Sequence, residues 1–145
     1  MRILIDSNVI LDSLIGRQPF FDQSDYVIKL CAEKKVKGFA AAHTITNLFY
    51  TLRKTHSDIE RRQIILKVFS ILEIVKVNYQ KLLSATLNFD FKDFEDCVQD
   101  ECAAEVGADY IITRNVKDFK LSKIPAVTPE DFIKIFEKQI GEGQK

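Results

Sequence analysis

Short apolar runs alternate with longer amphipathic segments along this chain, and this alternation is the feature that most constrains its fold. Strands are predicted at residues 2–5, 38–42, 73–77, 109–113 and 125–127. Helices are predicted at residues 8–15, about 22–35 and 44–54, and in segments that begin near residues 57, 78, 93 and 128. Because helices separate the strands, the pattern predicts an α/β fold with a parallel sheet covered on both faces.

A single domain accounts for the whole length. The chain has 145 residues, of which 46% are hydrophobic and 29% charged, the balance of an ordinary globular protein. The sequence contains no internal repeat, low-complexity tract or linker. We therefore expect one domain over residues 1–140 and a flexible C-terminal tail over residues 141–145.

Composition and terminal pattern disfavour several classes of protein. No apolar run approaches the roughly 20 residues of a membrane helix, and the N-terminus lacks a signal-peptide pattern, so a cytoplasmic protein without a membrane partner is expected. The three cysteines form no C-x-x-C pair and the two histidines form no zinc-binding pattern. Lys+Arg and Asp+Glu both total 21, so the net charge carries no signal for nucleic acid.

Polar side chains follow two of the predicted strands directly. Asp6 ends the first apolar run, and Thr113, Arg114 and Asn115 end the strand that starts at residue 109, with Asp118 three residues later. Ligand sites in open α/β sheets form beyond the carboxyl ends of the strands. If these two strands are neighbours, the sequence predicts that their polar residues share one crevice.

A later helix supplies further carboxylates. Asp93, Asp96 and Asp100 are spaced i, i+3, i+7 and so are expected on one helical face. Carboxylates brought close to Asp6 would repel one another, and a divalent cation removes that penalty. An all-oxygen ligand set favours magnesium or manganese. Each segment alone has a simpler interpretation: Asp6 as a helix N-cap, the three helix acids as a solvated face, and residues 113–115 as a turn.

Five segments in this order resemble one known family. They are ILIDSNVILD, TITNLFYTLRK, DFEDCVQ, ADYIITRNVKDF and PAVTPEDF. Together they resemble PIN-domain proteins over nearly the whole chain, most closely the bacterial members related to VapC-type toxins. The resemblance implies a three-layer α/β/α fold with a central parallel sheet of four to five strands.

The same resemblance implies an activity and a site. The implied activity is that of a metal-dependent endoribonuclease with Mg²⁺ or Mn²⁺ as cofactor, RNA as substrate, a cognate antitoxin protein as partner and a homodimer as the assembly. Asp6 and Asp96 match the acidic metal ligands. The segment TRNVKDF matches the last polar element of the site, with Asn115 and Asp118 as candidates between which spacing does not decide.

One position departs from the family pattern. Many PIN nucleases carry a glutamate in the helix after the second strand, where this chain has Asn47. An amide oxygen can coordinate a hard cation but brings no charge and cannot act as a carboxylate base. Weaker metal binding is therefore expected.

Substrate contacts are predicted around the same crevice. Arg17 and Arg114 are candidates for binding the RNA backbone, with Thr44 and Asn47 adding polar contacts, although N-capping explains Thr44 equally well. Asp12, six residues beyond Asp6, is expected to be a surface or capping acid.

Two other functions compete with the nuclease. The first is a catalytically degenerate PIN module that binds RNA or a protein without cleavage. The second is a phosphatase, because residues 6–10 loosely resemble the D-x-D-x-[TV] motif of haloacid-dehalogenase-like enzymes. The motif's second acid is here Asn8, and the helix predicted near that residue leaves little room for that family's flap.

Overall fold

A five-stranded parallel sheet in the order β3-β2-β1-β4-β5 forms the centre of the molecule. The computed structural model describes residues 1–143. The strands are β1 (Arg2–Ile5), β2 (Lys37–Ala41), β3 (Glu73–Val75), β4 (Tyr110–Ile112) and β5 (Ala126–Val127). All five lie within a residue or two of the predicted segments, and the predicted parallel arrangement is confirmed.

Within residues 1–143, seven helices cover the two faces of this sheet. They are α1 (Ser7–Ile15), α2 (Phe21–Ala32), α3 (Ala42–Thr51), α4 (Asp58–Ile71), α5 (Tyr79–Leu87), α6 (Phe94–Glu105) and α7 (Pro129–Gly143). Short 3₁₀ turns follow α3 at Leu52–Lys54 and β4 at Val116–Phe119.

Alternation along β1 separates the two layers of the core. Ile3 and Ile5 pack with buried residues of α1, α2, α3, α4 and α7, whereas Leu4 packs with those of α5 and α6. Successive side chains of a strand point to opposite faces, so one buried tripeptide contributes to both layers. The structure therefore has the expected α/β/α architecture.

Local signals set most of the helix ends. Ser57 forms a capping box with Glu60 at the start of α4, and Asn78 caps α5 through the backbone N–H of Lys81. Gly16 ends α1 with a φ of 66° and Gly107 follows α6 with a φ of 62°. A left-handed residue after a helix is the conformation that glycine adopts without steric cost.

Two predicted helix starts are corrected, and the last helix extends into the predicted tail. Helix α2 begins at Phe21, so Asp22 lies in its first turn instead of capping it. Helix α3 begins at Ala42 with Ala41 at the N-cap, so Thr44 caps nothing. Helix α7 continues through residues 141–143, the first part of the predicted tail, and residues 144–145 lie outside the described part of the chain. The flexibility of the tail stays a prediction.

None of the helices in the described part of the chain combines the length and the apolar character needed to cross a membrane.

Candidate active site

The carboxyl ends of β1 and β4 lie side by side at the centre of the sheet. Ile5 pairs with Ile112, and the backbone N–H of Asp6 donates to the Ile112 carbonyl at 2.9 Å. In the sheet, β2 lies on one side of β1 and β4 lies on the other. The strand order therefore reverses between β1 and β4. Crevices at such points are where α/β sheets bind ligands.

Asp6 is buried at this point in a shell of neutral donors. Its side chain is only 5% exposed. Oδ1 accepts from the backbone N–H of Ser7 at 2.7 Å and from Gln99 Nε2 at 3.0 Å. Oδ2 accepts from Thr113 Oγ1 at 2.8 Å and from Asn8 Nδ2 at 3.1 Å. Asp6 is also the N-cap of α1. The same carboxylate therefore caps the helix and lies buried in the crevice.

Asp96 lies in the first turn of α6, close enough to Asp6 for the two charges to interact. Burial raises the pKa of its carboxyl to about 7, and the neighbouring charges of Asp6, Asp93 and Asp118 act in the same direction. The ionised form of Asp96 is therefore disfavoured, because the group is partly buried and its charged neighbours are other acids.

Gln99 joins the two acids and is a residue that the sequence analysis missed. Its Nε2 lies 3.0 Å from Asp6 Oδ1 and 3.3 Å from Asp96 Oδ1. The residue is 3% exposed, and among the described residues its Oε1 has no hydrogen-bond partner. Its position three residues after Asp96 on α6 was the available signal, because residues at that spacing share a helical face.

The other two acids predicted for this face have structural roles. Asp93 is the N-cap of α6 and accepts from the backbone N–H of Asp96 at 2.9 Å. Asp100 is 2% exposed and accepts from the backbone N–H groups of Lys123 at 2.9 Å and Ile124 at 3.1 Å. The prediction of one solvated or metal-facing acidic face is therefore wrong for Asp100, which anchors the loop before β5.

The segment after β4 places its two candidates differently. Asn115 is exposed at the start of the 3₁₀ turn, where its backbone N–H donates to Thr113 Oγ1 at 3.0 Å. Asp118 lies near enough to Asp96 to raise that residue's pKa, and it pairs with Lys92 Nζ at 2.8 Å. The acidic candidate, Asp118, is thus the one whose charge reaches the carboxylate cluster.

Asn47 faces a glutamate across the crevice. It is half-buried on α3, and its Nδ2 lies 3.5 Å from Oε2 of the exposed Glu95 on α6. Burial lowers the pKa of His43, which lies one turn before Asn47, while the charges of Glu95 and Asp6 oppose that shift. Both carboxylates therefore act on the same imidazole. Glu95 carried no signal in the sequence, because its contact with Asn47 spans 48 residues.

Arg17 and Arg114 bind a buried acid inside the protein. Arg114 Nε lies 2.7 Å from Asp12 Oδ2, and Arg17 Nη1 lies 3.5 Å from Asp12 Oδ1. Asp12 is 0% exposed, so its interpretation as a surface or capping acid is wrong. Arg114 also lies over the Phe20 ring at 4.1 Å. In the structure both arginines form ion pairs with Asp12, and their predicted binding of substrate stays a prediction.

Thr44 is almost fully buried, with 1% of the residue exposed within α3. A contact between Thr44 and RNA stays a prediction.

The donor chemistry of the crevice fits a hard divalent cation. Asp6, Asp96 and Asp118 provide carboxylate oxygens, and the buried Gln99 Oε1 is an acceptor without a donor. Oxygen-only sets of this kind suit Mg²⁺ or Mn²⁺. Within residues 1–143, no three or more His, Cys, Asp or Glu side chains are close enough to form a complete metal-binding group. Binding would therefore use few protein ligands and retain water, as is common for Mg²⁺.

Comparisons with known proteins agree with this architecture. The family model described as PIN domain matches residues 2–117. The VapBC2 structure from Rickettsia felis, bound to a promoter DNA fragment, has a TM-score of 0.66 and 19% identity, covering 88% of this chain and 98% of that chain. DNA-bound VapBC from Salmonella typhimurium has a TM-score of 0.67 and 15% identity, covering 89% and 98%.

A third similar structure is that of a toxin whose RNA target is known. VapC20 from Mycobacterium tuberculosis, which cleaves the sarcin–ricin loop, has a TM-score of 0.60 and 10% identity, covering 75% of this chain and 86% of that chain. At these identities the likeness establishes the fold alone. No curated protein sequence gives a significant match to the chain.

Proposed function

The chain belongs to the PIN-domain family, and on that premise we propose that it is a Mg²⁺- or Mn²⁺-dependent endoribonuclease that hydrolyses RNA phosphodiester bonds. The observation that carries this proposal is the pair formed by Asp6 and Asp96. Two carboxylates from β1 and α6 share one side-chain amide, that of Gln99, at the point where the strand order reverses. Neutral donors surround Asp6, so a cation is the missing counter-charge.

The residues of the crevice have distinct roles in the proposed reaction. Asp6 and Asp96 are the metal ligands, and Asp118 completes the acidic wall with Asn115 beside it. When bound, the divalent cation supplies Lewis-acid activation of a water nucleophile and stabilises the charge that develops on the phosphate. Thr113 and Gln99 are positioning residues, because their hydrogen bonds hold both oxygens of Asp6 in one orientation.

The raised pKa of Asp96 also bears on the chemistry. A carboxyl whose pKa is about 7 is partly protonated near neutral pH in the absence of a cation. Positive charge in the crevice favours the ionised form, so cation binding at this site releases a proton.

The proposal extends to the biological role. We assign the chain as the toxin of a toxin–antitoxin pair, acting in the cytoplasm as a homodimer that a cognate antitoxin inhibits. Support comes from structural neighbours described as VapBC complexes and, in Klebsiella pneumoniae, as a toxin–antitoxin complex. An antitoxin reading frame beside the gene, and co-purification of its product with this chain, would test the assignment.

A degenerate PIN module is the second candidate, and one observation favours it. Asn47 provides an amide where the family pattern has a carboxylate, which reduces the charge available to hold a cation. Such a module would bind RNA or a protein without cleaving RNA. Calorimetric titration with Mn²⁺ distinguishes the two, since a degenerate module would bind no metal at millimolar concentration.

Cleavage of a fluorogenic single-stranded RNA in Mn²⁺ tests the enzymatic proposal. Wild-type protein is expected to cleave it, EDTA to stop the reaction, and Asp6→Asn or Asp96→Asn to abolish it while circular dichroism stays unchanged. Asp90→Asn, an exposed aspartate before α6, is the matched control and should retain activity. Undiminished cleavage in both crevice variants would remove these residues from the mechanism.

A further inference from the structure

We propose that a cleft beside the crevice binds one guanine base of the RNA, with Arg114 and Glu130 as the residues that recognise it. The cleft lies between the segment after β4, the start of α2 and the start of α7, and its volume is about 360 Å³. This inference rests on the proposed function, because it takes RNA as the ligand. It goes further in naming a base and the side chains that select it.

The cleft lies at the same edge of the sheet as Asp6. Arg114 and Thr128, which both line it, come just after β4 and β5, and these strands are neighbours in the sheet. The Arg114 backbone N–H donates to Asn8 Oδ1 at 3.4 Å, and Asn8 Nδ2 donates to Asp6 Oδ2 at 3.1 Å. A single residue therefore connects the lining of the cleft to a proposed metal ligand. An RNA strand whose phosphate lies at Asp6 can place a neighbouring base in the cleft.

The lining of the cleft suits a flat ring with a polar edge. Phe20 and Pro129 provide apolar surface, and the Arg114 guanidinium carbon lies 4.1 Å from the centre of the Phe20 ring. Aromatic rings and guanidinium planes are the surfaces on which bases of single-stranded RNA stack. Gln23 on α2 and the Thr128 hydroxyl add groups that can hydrogen-bond to the edge of a base.

The charge at this edge favours a nucleotide over a neutral ligand. Asp12 pairs with both Arg114 and Arg17, so one carboxylate balances only one of two guanidinium groups. The Arg114 side chain is still 24% exposed and that of Arg17 is 40% exposed. One positive charge is therefore available to the phosphate backbone that carries the base.

A guanidinium and a carboxylate in one lining select guanine among the RNA bases. Guanine alone has two adjacent acceptors, O6 and N7, next to two adjacent donors, N1–H and N2–H₂. Arg114 uses Nε and Nη2 for Asp12, which leaves further N–H donors for the guanine acceptors. Glu130, in the exposed first turn of α7, offers a carboxylate to the guanine donors. Its surface pair with Lys134, at 3.6 Å, is too weak to prevent this.

RNA binding in the absence of metal tests the assignment. Fluorescence anisotropy in EDTA compares short labelled oligouridines that carry G, inosine, A or U at the centre. Wild type should bind the G oligomer about tenfold more tightly than the all-U oligomer, as expected for a base held by two hydrogen bonds to one side chain. The inosine oligomer, which lacks N2–H₂, should bind with intermediate affinity.

Glu130→Gln should abolish the preference for G by weakening binding of the G oligomer about tenfold. Loss of a negative charge raises the affinity of a protein for RNA in general, so this selective weakening has the opposite sign to the non-specific effect. Glu137→Gln is the matched control, because Glu137 is an exposed glutamate about two turns later in α7, and it should keep the preference. Thermal unfolding shows that each variant folds.

Cleavage of the same oligomers in Mn²⁺ separates this inference from the proposed nuclease. Absence of binding, or equal affinity of wild type for all the oligomers, would overturn the guanine cleft. A Glu130→Gln variant that keeps the preference would overturn it as well. If cleavage persists in either case, the nuclease stands without the cleft. A preference for G in EDTA without cleavage in Mn²⁺ would support the cleft and remove the nuclease.

Discussion

Arg114 Nε lies 2.7 Å from Oδ2 of Asp12, an aspartate with no exposed surface, although 102 residues separate the two along the chain. The pair joins α1, which begins directly after Asp6, to the segment after β4. The Arg114 backbone N–H also donates to Asn8 Oδ1, at 3.4 Å, and Asn8 in turn donates to Asp6. A buried ion pair thus supports the elements that position the proposed catalytic acids.

Removing Arg114 should destabilise the fold strongly. In Arg114→Met, Asp12 stays buried with only Arg17 nearby, and the free energy of unfolding should fall by about 3 kcal/mol, as expected when one partner of a buried pair is lost. Urea denaturation measures the change. The control is Arg62→Met, which breaks the exposed pair with Asp58 and should cost less than about 1 kcal/mol. Equal losses in the two variants would contradict the structural role of Asp12.

Asp96 should make metal-free stability depend on pH. Its carboxyl has a pKa raised from 3.8 to about 7, so between these values the native state binds more protons than the unfolded state. Stability therefore falls as pH rises through this window, and the loss is complete above pH 7. In EDTA at pH 8, Asp96→Asn should have a higher Tm than wild type, with the difference vanishing near pH 4.

The same scan in the exposed variant Asp90→Asn is the control, and its Tm should follow wild type at both pH values. If the difference in Tm between Asp96→Asn and wild type is the same at pH 4 and pH 8, then burial and neighbouring charges do not destabilise the ionised form of Asp96. The partial exposure of Asp96 limits the expected gain to a few degrees, because water screens part of the repulsion.

Lys92 should compete with a metal ion for the crevice. Its Nζ lies 2.8 Å from Asp118 Oδ1, and the lysine side chain is largely exposed. Lys92→Gln removes this positive charge, so Mn²⁺ affinity measured by calorimetry at low salt should rise about two- to threefold, the size of a weak surface charge effect. Lys120→Gln, also exposed, should leave affinity unchanged. Weaker Mn²⁺ binding in Lys92→Gln would show that the lysine supports the site instead.

Two glycines should respond to alanine with opposite signs. A Cβ at Gly38 in β2 would lie 2.5 Å from Cys31 Sγ and 2.6 Å from Leu72 Cδ2, so Gly38→Ala should destabilise by about 1–3 kcal/mol through overpacking. A Cβ at Gly141 in α7 meets no atom within 4 Å. Gly141→Ala should therefore raise the free energy of unfolding, by at most about 1 kcal/mol because the residue lies near the helix end. Chemical denaturation checks both, and a neutral Gly38→Ala would show that this part of the core can relax.

Sequence reasoning anticipated the elements whose signals are local. The capping box at Ser57, the cap at Asn78 and the left-handed glycines at positions 16 and 107 depend on neighbours within a few residues. The alternation of apolar runs and amphipathic segments likewise predicts the parallel sheet. Boundaries failed where packing overrides propensity: α3 begins at Ala42 without a side-chain cap because its buried residues already hold it in place.

The sequence by itself determined that Asp6 follows a buried strand and that Asp96 begins a helix, because strand period and capping spacing are properties of adjacent residues. Only the tertiary structure decided that Asp12 is buried against Arg114, that Gln99 joins Asp6 to Asp96 and that Glu95 faces Asn47. Apart from the contact of Gln99 with Asp96 three residues earlier on α6, these contacts join parts of the chain that lie 48 to 102 residues apart. Which charge meets which partner at such separations depends on the order of strands in the sheet, and no local pattern encodes it.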